Sequence, residues 1–398
     1  MSAPSSASPR DFTSERLYAR FRQTLQTAEA DPLAFLPDWA RELDPADLAS
    51  IPVICCGANS MGWFFLQAAR HLNIIGLVDD FKKGQPYCGH TCIGTAEFVA
   101  LTKKTPNAIC INLAQWDLGC RYFDNLARRF QLRMLNFGQA VRFFGCAVDF
   151  RLADWRPSIV ARQNEFLALE SMLCDELSKQ TLFSVLTHHL DNDREHLLGI
   201  NRSYDAHYFR SGLFELRPDE IFVDCGAAVG ETVDHFLEIT RESFRGLYAF
   251  EPDRDNFGKL SEKIGRYRNL PFSKNIHLLN KATGARDAKV AFEHGGGEGS
   301  RVLEGVAGEG VMDLVRLDSE LSEGATFLKL DVEGHELDTL KGAEATIRQH
   351  KPRIAVCVYH RDDDLLTIPA YLKSLNPDYK IGLRHCNQVR FDTICFAF

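Results

Sequence analysis

Residues able to do chemistry cluster where an apolar strand, residues 221–224, runs into a turn of small residues. The turn reads D-x-G-x-A-x-G and contains Asp224, Gly226, Ala228 and Gly230, and a helical pattern follows it. Such a turn brings backbone N–H groups and the positive end of a helix together, which favours an anion. The glycines remove Cβ atoms that would hold a ligand off the backbone. The turn therefore predicts a site for a ligand with an anionic or polar end.

An acidic residue follows the next predicted strand. Glu251 comes directly after residues 246–250, where a carboxylate can accept both hydroxyls of a ribose. A nicotinamide cofactor would predict G-x-G-x-x-G, which this turn lacks. Asp224 can hold an ammonium group while the helix start holds a carboxylate. An amino-acid nucleoside fits these residues better than a dinucleotide.

Several blocks of the C-terminal half resemble the FkbM family of methyltransferases, which use S-adenosylmethionine (SAM) and have the class I fold. The blocks are VDCGAAVGET at 223–232, YAFEPDRDNFGKL at 248–260, LNKATG at 279–284, VRLDSEL at 315–321, and FLKLDVEGHELDTLKGAEATIRQHKPRIAVCVYH at 327–360. The resemblance implies a Rossmann-like, doubly wound sheet that ends in an antiparallel hairpin at 380–385 and 391–398. It also implies that SAM is bound by Asp224, Gly226, Ala228, Gly230, Glu251 and Ala282.

Polar residues follow the last two parallel strands predicted before the hairpin. Asp331, His335 and His360 are the catalytic candidates, because methyl transfer to a hydroxyl releases a proton that a nearby base can take. Glu333 and Tyr359 are candidate contacts for the acceptor. Asp331 can equally serve as the N-cap of the following helix. No metal is predicted, since no octahedral set of oxygen ligands can be read from the sequence.

The resemblance implies a SAM-dependent methyltransferase that methylates an oxygen, with a sugar hydroxyl of a glycan, glycolipid or secondary metabolite as the acceptor. Two alternatives stay open: an N- or C-methyltransferase, and a nucleotide-sugar-binding or scaffold protein whose methyltransferase half is inactive. The glycine-rich run at 295–299 is interpreted either as a mobile loop or as a lid beside the acceptor.

A second strand–helix–strand pattern occupies residues 49–148 and predicts a smaller Rossmann-like α/β domain. Gly57 and Gly62 match the first and third glycines of G-x-G-x-x-G, and Asp79 lies where an acid would bind a ribose. Asn59 replaces the second glycine, so its side chain obstructs a pyrophosphate. We predict that no dinucleotide binds there. A nucleotide-sugar site and a ligand-free scaffold both remain open.

The rest of the chain reads as helical, in an α/β protein of two or three domains. Residues 1–48 are predicted as a disordered tail and a helical arm, and residues 149–215 as a helical connector before a methyltransferase domain at 216–398. Within the connector, apolar spacing predicts one helix through residues 166–177 and another through 182–190. His188 and His189 point to different helix faces, so they should not share a metal.

Charge and composition argue against nucleic acid and a membrane span as partners of this chain. The formal net charge of −8 is spread over both halves without a basic stripe, which argues against nucleic acid. No run approaches the ~20 apolar residues of a membrane span, and no leader is apparent, so we expect a cytoplasmic protein. The twelve cysteines form no CxxC pair and are predicted to be reduced thiols. The expected partner is a small-molecule or glycan acceptor, and a homo-oligomer stays open.

Overall fold

The computed structural model describes residues 13–203, 207–293, 301–303 and 310–398, which form two compact units. The N-terminal unit contains the described residues up to Ala161 with Phe183–Gly199 and Gln388–Arg390. The C-terminal unit contains Arg162–Leu182, the described part of Ile200–Asn387, and Phe391–Phe398. The predicted disordered tail at 1–10 and the glycine-rich run at 295–299 lie outside the described residues.

The N-terminal unit is built on a six-stranded sheet of order β3-β4-β2-β1-β5-β6, parallel except for the β3–β4 hairpin. Its strands are β1 (Pro52–Cys56), β2 (Asn73–Val78), β3 (Pro86–Tyr87), β4 (His90–Ile93), β5 (Ile109–Asn112) and β6 (Arg133–Asn136). Its helices are α1 (Ser14–Ala30), α2 (Asp38–Arg41), α3 (Ser60–Ala68), α4 (Thr95–Lys104), α5 (Asp117–Phe130), α6 (Phe137–Phe144) and α7 (Arg156–Ala161).

The prediction for this unit was correct in its βαβ core and incomplete at both edges. The strand–helix–strand pattern predicts β1, α3 and β2, and the residues at 108–113 and 117–130 predict β5 and α5. The β3–β4 hairpin and the final pair β6–α6 were not predicted. The edge strands have two to four residues, too few to establish a period of two in the sequence. Helix α1 buries Leu17, Phe21 and Leu25, so the predicted helical arm is present.

The predicted helix through residues 166–177 is wrong, because it is broken in the middle. Helix α8 (Gln163–Leu169) ends in a single 3₁₀ turn, and α9 (Glu176–Asp191) begins after it, with α10 (Glu195–Leu198) further on. Between them Leu173 is extended and forms a β-bridge with Ile381. Apolar spacing continues across this break, so the pattern could not reveal it. His189 stacks on Trp155 with ring centroids 4.0 Å apart, while Nδ1 of His188 faces the carbonyl of Asp193 at 3.0 Å.

The C-terminal unit holds a seven-stranded sheet of order β16-β17-β15-β14-β7-β8-β9. These strands are β7 (Ile221–Cys225), β8 (Gly246–Phe250), β9 (Ile276–Leu279), β14 (Phe327–Leu330), β15 (Arg353–Cys357), β16 (Ile381–His385) and β17 (Thr393–Ala397). Its helices are α11 (Glu231–Thr240), α12 (Arg254–Gly265), α14 (Glu336–Lys341), α15 (Glu344–His350) and α16 (Asp364–Leu375). Strand β17 runs antiparallel to both neighbours, which confirms the predicted hairpin.

A smaller four-stranded sheet of order β10-β13-β11-β12 lies between β9 and β14 in the chain. It comprises β10 (Ala282–Thr283), β11 (Ala288–Glu293), β12 (Arg301–Leu303) and β13 (Gly310–Val315), followed by α13 (Leu317–Glu320). Of these strands, the sequence predicts only β11, from the apolar pattern KVAFE at 289–293 before the glycine-rich run. Ala282 packs in its core with Val290, Met312 and Leu314.

Aromatic packing fixes the large sheet. Phe222 of β7 stacks on Phe236 of α11 with ring centroids 4.6 Å apart, and Phe327 of β14 lies 5.4 Å from Phe222. Because these three rings are fully buried, the strands that carry the site are held rigidly by their neighbours.

In the part of the chain that the structure describes, no helix combines the length and apolarity needed to cross a bilayer.

Candidate active site

The glycine turn follows β7 at the carboxyl end of the sheet. The amides of Gly226 and Ala227 both donate to the carbonyl of Phe250, at 2.9 and 3.0 Å, which ties the turn to β8. Gly226 has φ +82°, and a Cβ there would lie 1.8 Å from the carbonyl oxygen of Asp331. Only glycine fits this close approach. Gly230, also at positive φ, is the residue from which α11 starts.

Glu251 is fixed by the same turn. One carboxylate oxygen accepts from the amide of Ala228 at 2.7 Å and the other from the amide of Asp253 at 2.8 Å. Burial and then the nearby carboxylate of Asp253 outweigh these bonds and raise the pKa of Glu251 to about 7. An ionised carboxylate offers about four lone-pair positions, so two remain to accept hydroxyls.

Asp224 does not face open space. Its side chain is fully buried, and one carboxylate oxygen lies 2.9 Å from the Lys329 ammonium. That ammonium also donates to the carbonyl of Gly226 at 2.7 Å. Burial alone would lower the pKa of Lys329, but the carboxylates of Asp224 and Asp331 raise it above its usual value. The ammonium on Asp224 was predicted to belong to a ligand, and in this structure it belongs to Lys329.

Asp331 lies at the end of β14 and receives two phenols. The hydroxyl of Tyr208 donates to one carboxylate oxygen and that of Tyr359 to the other, both at 3.2 Å. Burial alone would raise the pKa of Asp331, yet Lys329 and then His360 lower it. About a quarter of this side chain is exposed (24%), so the carboxylate faces both the buried polar groups and the solvent.

His360 is almost fully buried among carboxylates. Its Nδ1 lies 2.8 Å from Glu336 Oε1, and its Nε2 lies 3.7 Å from both Asp331 Oδ1 and Glu333 Oε2. Burial alone would lower the pKa of His360, but the carboxylates, Glu336 foremost, raise it to about 10. The ring is then an imidazolium at neutral pH. The prediction of His360 as a base of near-neutral pKa is therefore not supported by its surroundings, because a cation cannot accept a proton.

The remaining candidates are placed less directly. Glu333 reaches the cluster from a backbone at φ +55°, a conformation rarely adopted outside glycine. His335 lies just before α14, where its carbonyl accepts from the amide of Thr339, and it is not part of the cluster formed by Asp331, Glu336 and His360. The side chain of Ala282 is buried in the small sheet, and its contact with a cofactor stays a prediction.

Three residues of the site were missed. Lys329 is a charged residue inside the apolar strand FLKL, and this break in the pattern was the available signal. Glu336 stands in the same block as Asp331 and accepts from the amides of Val332 and Gly334. No sequence signal links Tyr208 to Asp331, because the two are 123 residues apart.

A sheet of this strand order, with a glycine turn after β7 and an acid after β8, defines a Rossmann-like methyltransferase. The family model for the methyltransferase FkbM domain matches residues 224–379. The crystal structure of methyltransferase FkbM from Methylobacillus flagellatus KT is 31% identical, spans 97% of this chain and 100% of its own, and superposes with a TM-score of 0.84. The chain belongs to the FkbM methyltransferase family and is a methyltransferase.

More distant structures share part of the chain. An rRNA methylase from Streptococcus thermophilus is 17% identical over 46% of this chain and 87% of its own, with a TM-score of 0.30. Aeropyrum pernix fibrillarin, solved with SAM, is 15% identical over 50% of this chain and 75% of its own, also with a TM-score of 0.30. We draw nothing from likenesses this weak. No curated protein sequence matches the chain.

Proposed function

We propose that this methyltransferase uses SAM and transfers the methyl group to an oxygen, with a sugar hydroxyl as the acceptor. The observation that carries the proposal is Glu251, a buried carboxylate fixed by the glycine turn with capacity left for two hydroxyls. A ribose presents such a pair of hydroxyls, and the carboxyl ends of parallel strands are where nucleosides bind in open α/β sheets.

The chain's own residues fit a nucleoside cofactor at this end of the sheet. Glu251 accepts from the ribose, and the small residues Gly226 and Ala228 let the ligand approach the backbone. Lys329 holds the turn through the carbonyl of Gly226, so Asp224 acts through Lys329 and does not touch the ligand. When bound, SAM supplies a methyl group on a cationic sulfur that leaves as a neutral thioether.

Asp331 and its neighbours form the acceptor side. A carboxylate with free lone pairs at the rim accepts a hydrogen bond from a hydroxyl and orients the oxygen lone pair toward the methyl. Tyr359, also at the rim, adds a second polar contact. Because the pKa of Asp331 is lowered, we assign it the task of orienting the hydroxyl and stabilising the departing proton. His335 remains a predicted catalytic residue, and Glu333 remains a predicted contact of the acceptor.

A hydroxyl acceptor is favoured over nitrogen or carbon by what surrounds Asp331. Two phenols and a carboxylate recognise hydroxyl groups by hydrogen bonds, as sugar-binding sites do, whereas a carbon acceptor would gain nothing from them. The cytoplasmic location and the homo-oligomer stay predictions.

The test is to incubate the purified protein with methyl-labelled SAM and extracted glycans, glycolipids and small metabolites of the source cells, and to locate the label by fragmentation mass spectrometry. We expect an ether-linked methyl on a sugar oxygen. Label on nitrogen or carbon would establish the alternative methyltransferase classes. Absence of label in every fraction, with SAM bound, would refute the sugar acceptor.

A further inference from the structure

Three ligating side chains converge beside the acceptor face. Asp331 ends β14, Glu336 opens α14 and His360 follows β15, and one ligand atom of each lies within 4.8 Å of the others. Of these, Glu336 and His360 are 1% and 2% exposed. The cluster therefore has a buried floor, and Asp331 forms its more open side.

An independent observation shows that this floor is not satisfied by the protein alone. Glu336 Oε1 accepts from the amides of Val332 and Gly334, but Glu336 Oε2 is buried with no hydrogen-bond partner among the described residues. A buried carboxylate oxygen without a partner destabilises the folded chain. A buried oxygen of this kind, on a residue that belongs to a cluster of ligand atoms, indicates that something absent from the polypeptide completes the group.

We propose that Asp331, Glu336 and one ring nitrogen of His360, which releases its proton to the solvent on binding, bind a divalent cation of the Mn²⁺ or Zn²⁺ type. Two carboxylate oxygens and an imidazole nitrogen suit borderline first-row ions better than Ca²⁺, which takes six or more oxygens. The cation gives Glu336 Oε2 the partner it lacks. Glu333, whose Oε2 lies 3.7 Å from His360 Nε2, adds a further negative charge next to the site.

The distances suit such an ion. Metal bonds of about 2.0–2.2 Å place neighbouring ligand atoms about 3–4 Å apart. Within the cluster, one ligand atom of each residue lies within 4.8 Å of the other two, so small side-chain shifts bring them into this range. Three protein ligands leave coordination positions open, as in catalytic metal sites. On the proposed function, the acceptor hydroxyl takes one of them, and the cation lowers its pKa.

The test uses the full-length protein, stripped with a chelator and titrated with Mn²⁺ alone. Binding is followed by calorimetry and by loss of the free Mn²⁺ signal in electron paramagnetic resonance. We expect one saturable ion per chain. Asp331→Asn and Glu336→Gln should each weaken it at least about tenfold. The matched control is Asp338→Asn, an exposed carboxylate of the same helix paired with Lys341, which should bind as the wild type does.

Equal Mn²⁺ affinity in Asp331→Asn and Asp338→Asn, or no saturable binding at all, would overturn the site. If Glu336→Gln fails to fold, Asp331→Asn decides, since its amide oxygen can still accept from a phenol and no backbone amide of the described residues depends on this side chain. SAM binding is measured on the same samples. Metal binding without SAM binding would refute the proposed cofactor and leave the cation site standing. SAM binding without metal binding would overturn the cation site and leave the proposed cofactor standing.

Discussion

The two larger sheets of this chain, one in each unit, share the same arrangement of strands and turn and differ in the charged residues they carry. In the N-terminal unit, Gly57 donates to the carbonyl of Val78 at 2.9 Å, and Ala58 donates to the Asp79 carboxylate at 3.1 Å. In the C-terminal unit, Gly226 donates to the carbonyl of Phe250 at 2.9 Å, and Ala228 to Glu251 at 2.7 Å. The turn and the acid after the second strand are therefore properties of the shared fold.

The difference lies on two neighbouring strands, which are β1 and β5 in the N-terminal unit and β7 and β14 in the C-terminal unit. Cys55 pairs in register with Ile111, whereas the corresponding residues of the other unit are Asp224 and Lys329. The amide that follows β5 or β14, which donates to the end of β1 or β7, belongs to Leu113 in the N-terminal unit and to Asp331 in the C-terminal unit. The fold accepts apolar residues at these positions, so we attribute the charges of the C-terminal unit to its chemistry.

The largest effect should come from removing one partner of the buried ion pair between Asp224 and Lys329. Lys329→Ile leaves Asp224 buried and unpaired, which should cost about 3–5 kcal/mol in the free energy of unfolding. Asp224→Cys with Lys329→Ile copies the N-terminal pair, and this double variant should recover most of that stability while binding SAM weakly, because the turn has lost its tie to Lys329. Denaturant unfolding and calorimetry check both. A double variant that binds SAM normally would show that the pair is only structural.

Asp331→Asn should reduce turnover at least about 100-fold while folding and SAM affinity persist, because the amide keeps the shape but loses the charge that orients and stabilises the proton. The matched change in the N-terminal unit is Asp80→Asn, where the carboxylate accepts from the amide of Thr95, and it should leave turnover unaltered. Steady-state kinetics with labelled SAM compare the two. Normal turnover accompanied only by a lower melting temperature would make Asp331 a structural acceptor for Tyr208 and Tyr359, and not a cap, since the N-cap of α14 is His335.

The pH dependence of SAM affinity should follow Glu251. Since its pKa is raised to about 7, the ionised form that accepts ribose hydroxyls becomes scarce below that value. Affinity should therefore fall about tenfold from about pH 8 to about pH 6. Glu251→Gln cannot titrate, so the difference between its profile and that of the wild type isolates this group. Parallel profiles would contradict the assignment.

The smallest effect is expected in the N-terminal unit, where NAD should produce no heat of binding to the full-length protein. Asn59 accepts from the amide of Gly62 at 3.0 Å and donates to the carbonyl of Leu113 at 2.9 Å, which holds its side chain across the turn. Tyr87 covers the same turn by donating to the carbonyl of Asn59 at 2.7 Å. Nucleotide sugars are titrated in parallel. Micromolar NAD binding would show that Asn59 does not obstruct the turn.

Local sequence patterns were enough to predict the main parallel strands and the residues that directly follow them. The glycine turn, Glu251 and Asp331 each follow a strand, so their location at one edge of the sheet could be read from the order of elements. The same reasoning placed the antiparallel hairpin correctly. What these residues contact across the sheet could not be read in this way.

Contacts between distant segments decided the chemistry that sequence reasoning missed. Asp224 was interpreted as a ligand contact because Lys329, more than 100 residues away, could not be recognised as its partner. His360 was interpreted as a base because the sequence does not show how close Asp331, Glu333 and Glu336 come to its ring in the folded chain. Burial and neighbouring charge set a pKa, and both are properties of the folded chain.

The central claim, that the C-terminal unit binds SAM through Glu251, is tested most directly by calorimetry with SAM on three proteins. The wild type should bind one SAM per chain. Glu251→Ala removes hydrogen bonds to a charged group, worth roughly 1.5–3 kcal/mol, and should weaken binding about 10- to 150-fold. Glu262→Ala, an exposed carboxylate on helix α12, should bind as the wild type does. Unchanged affinity in Glu251→Ala would contradict the account.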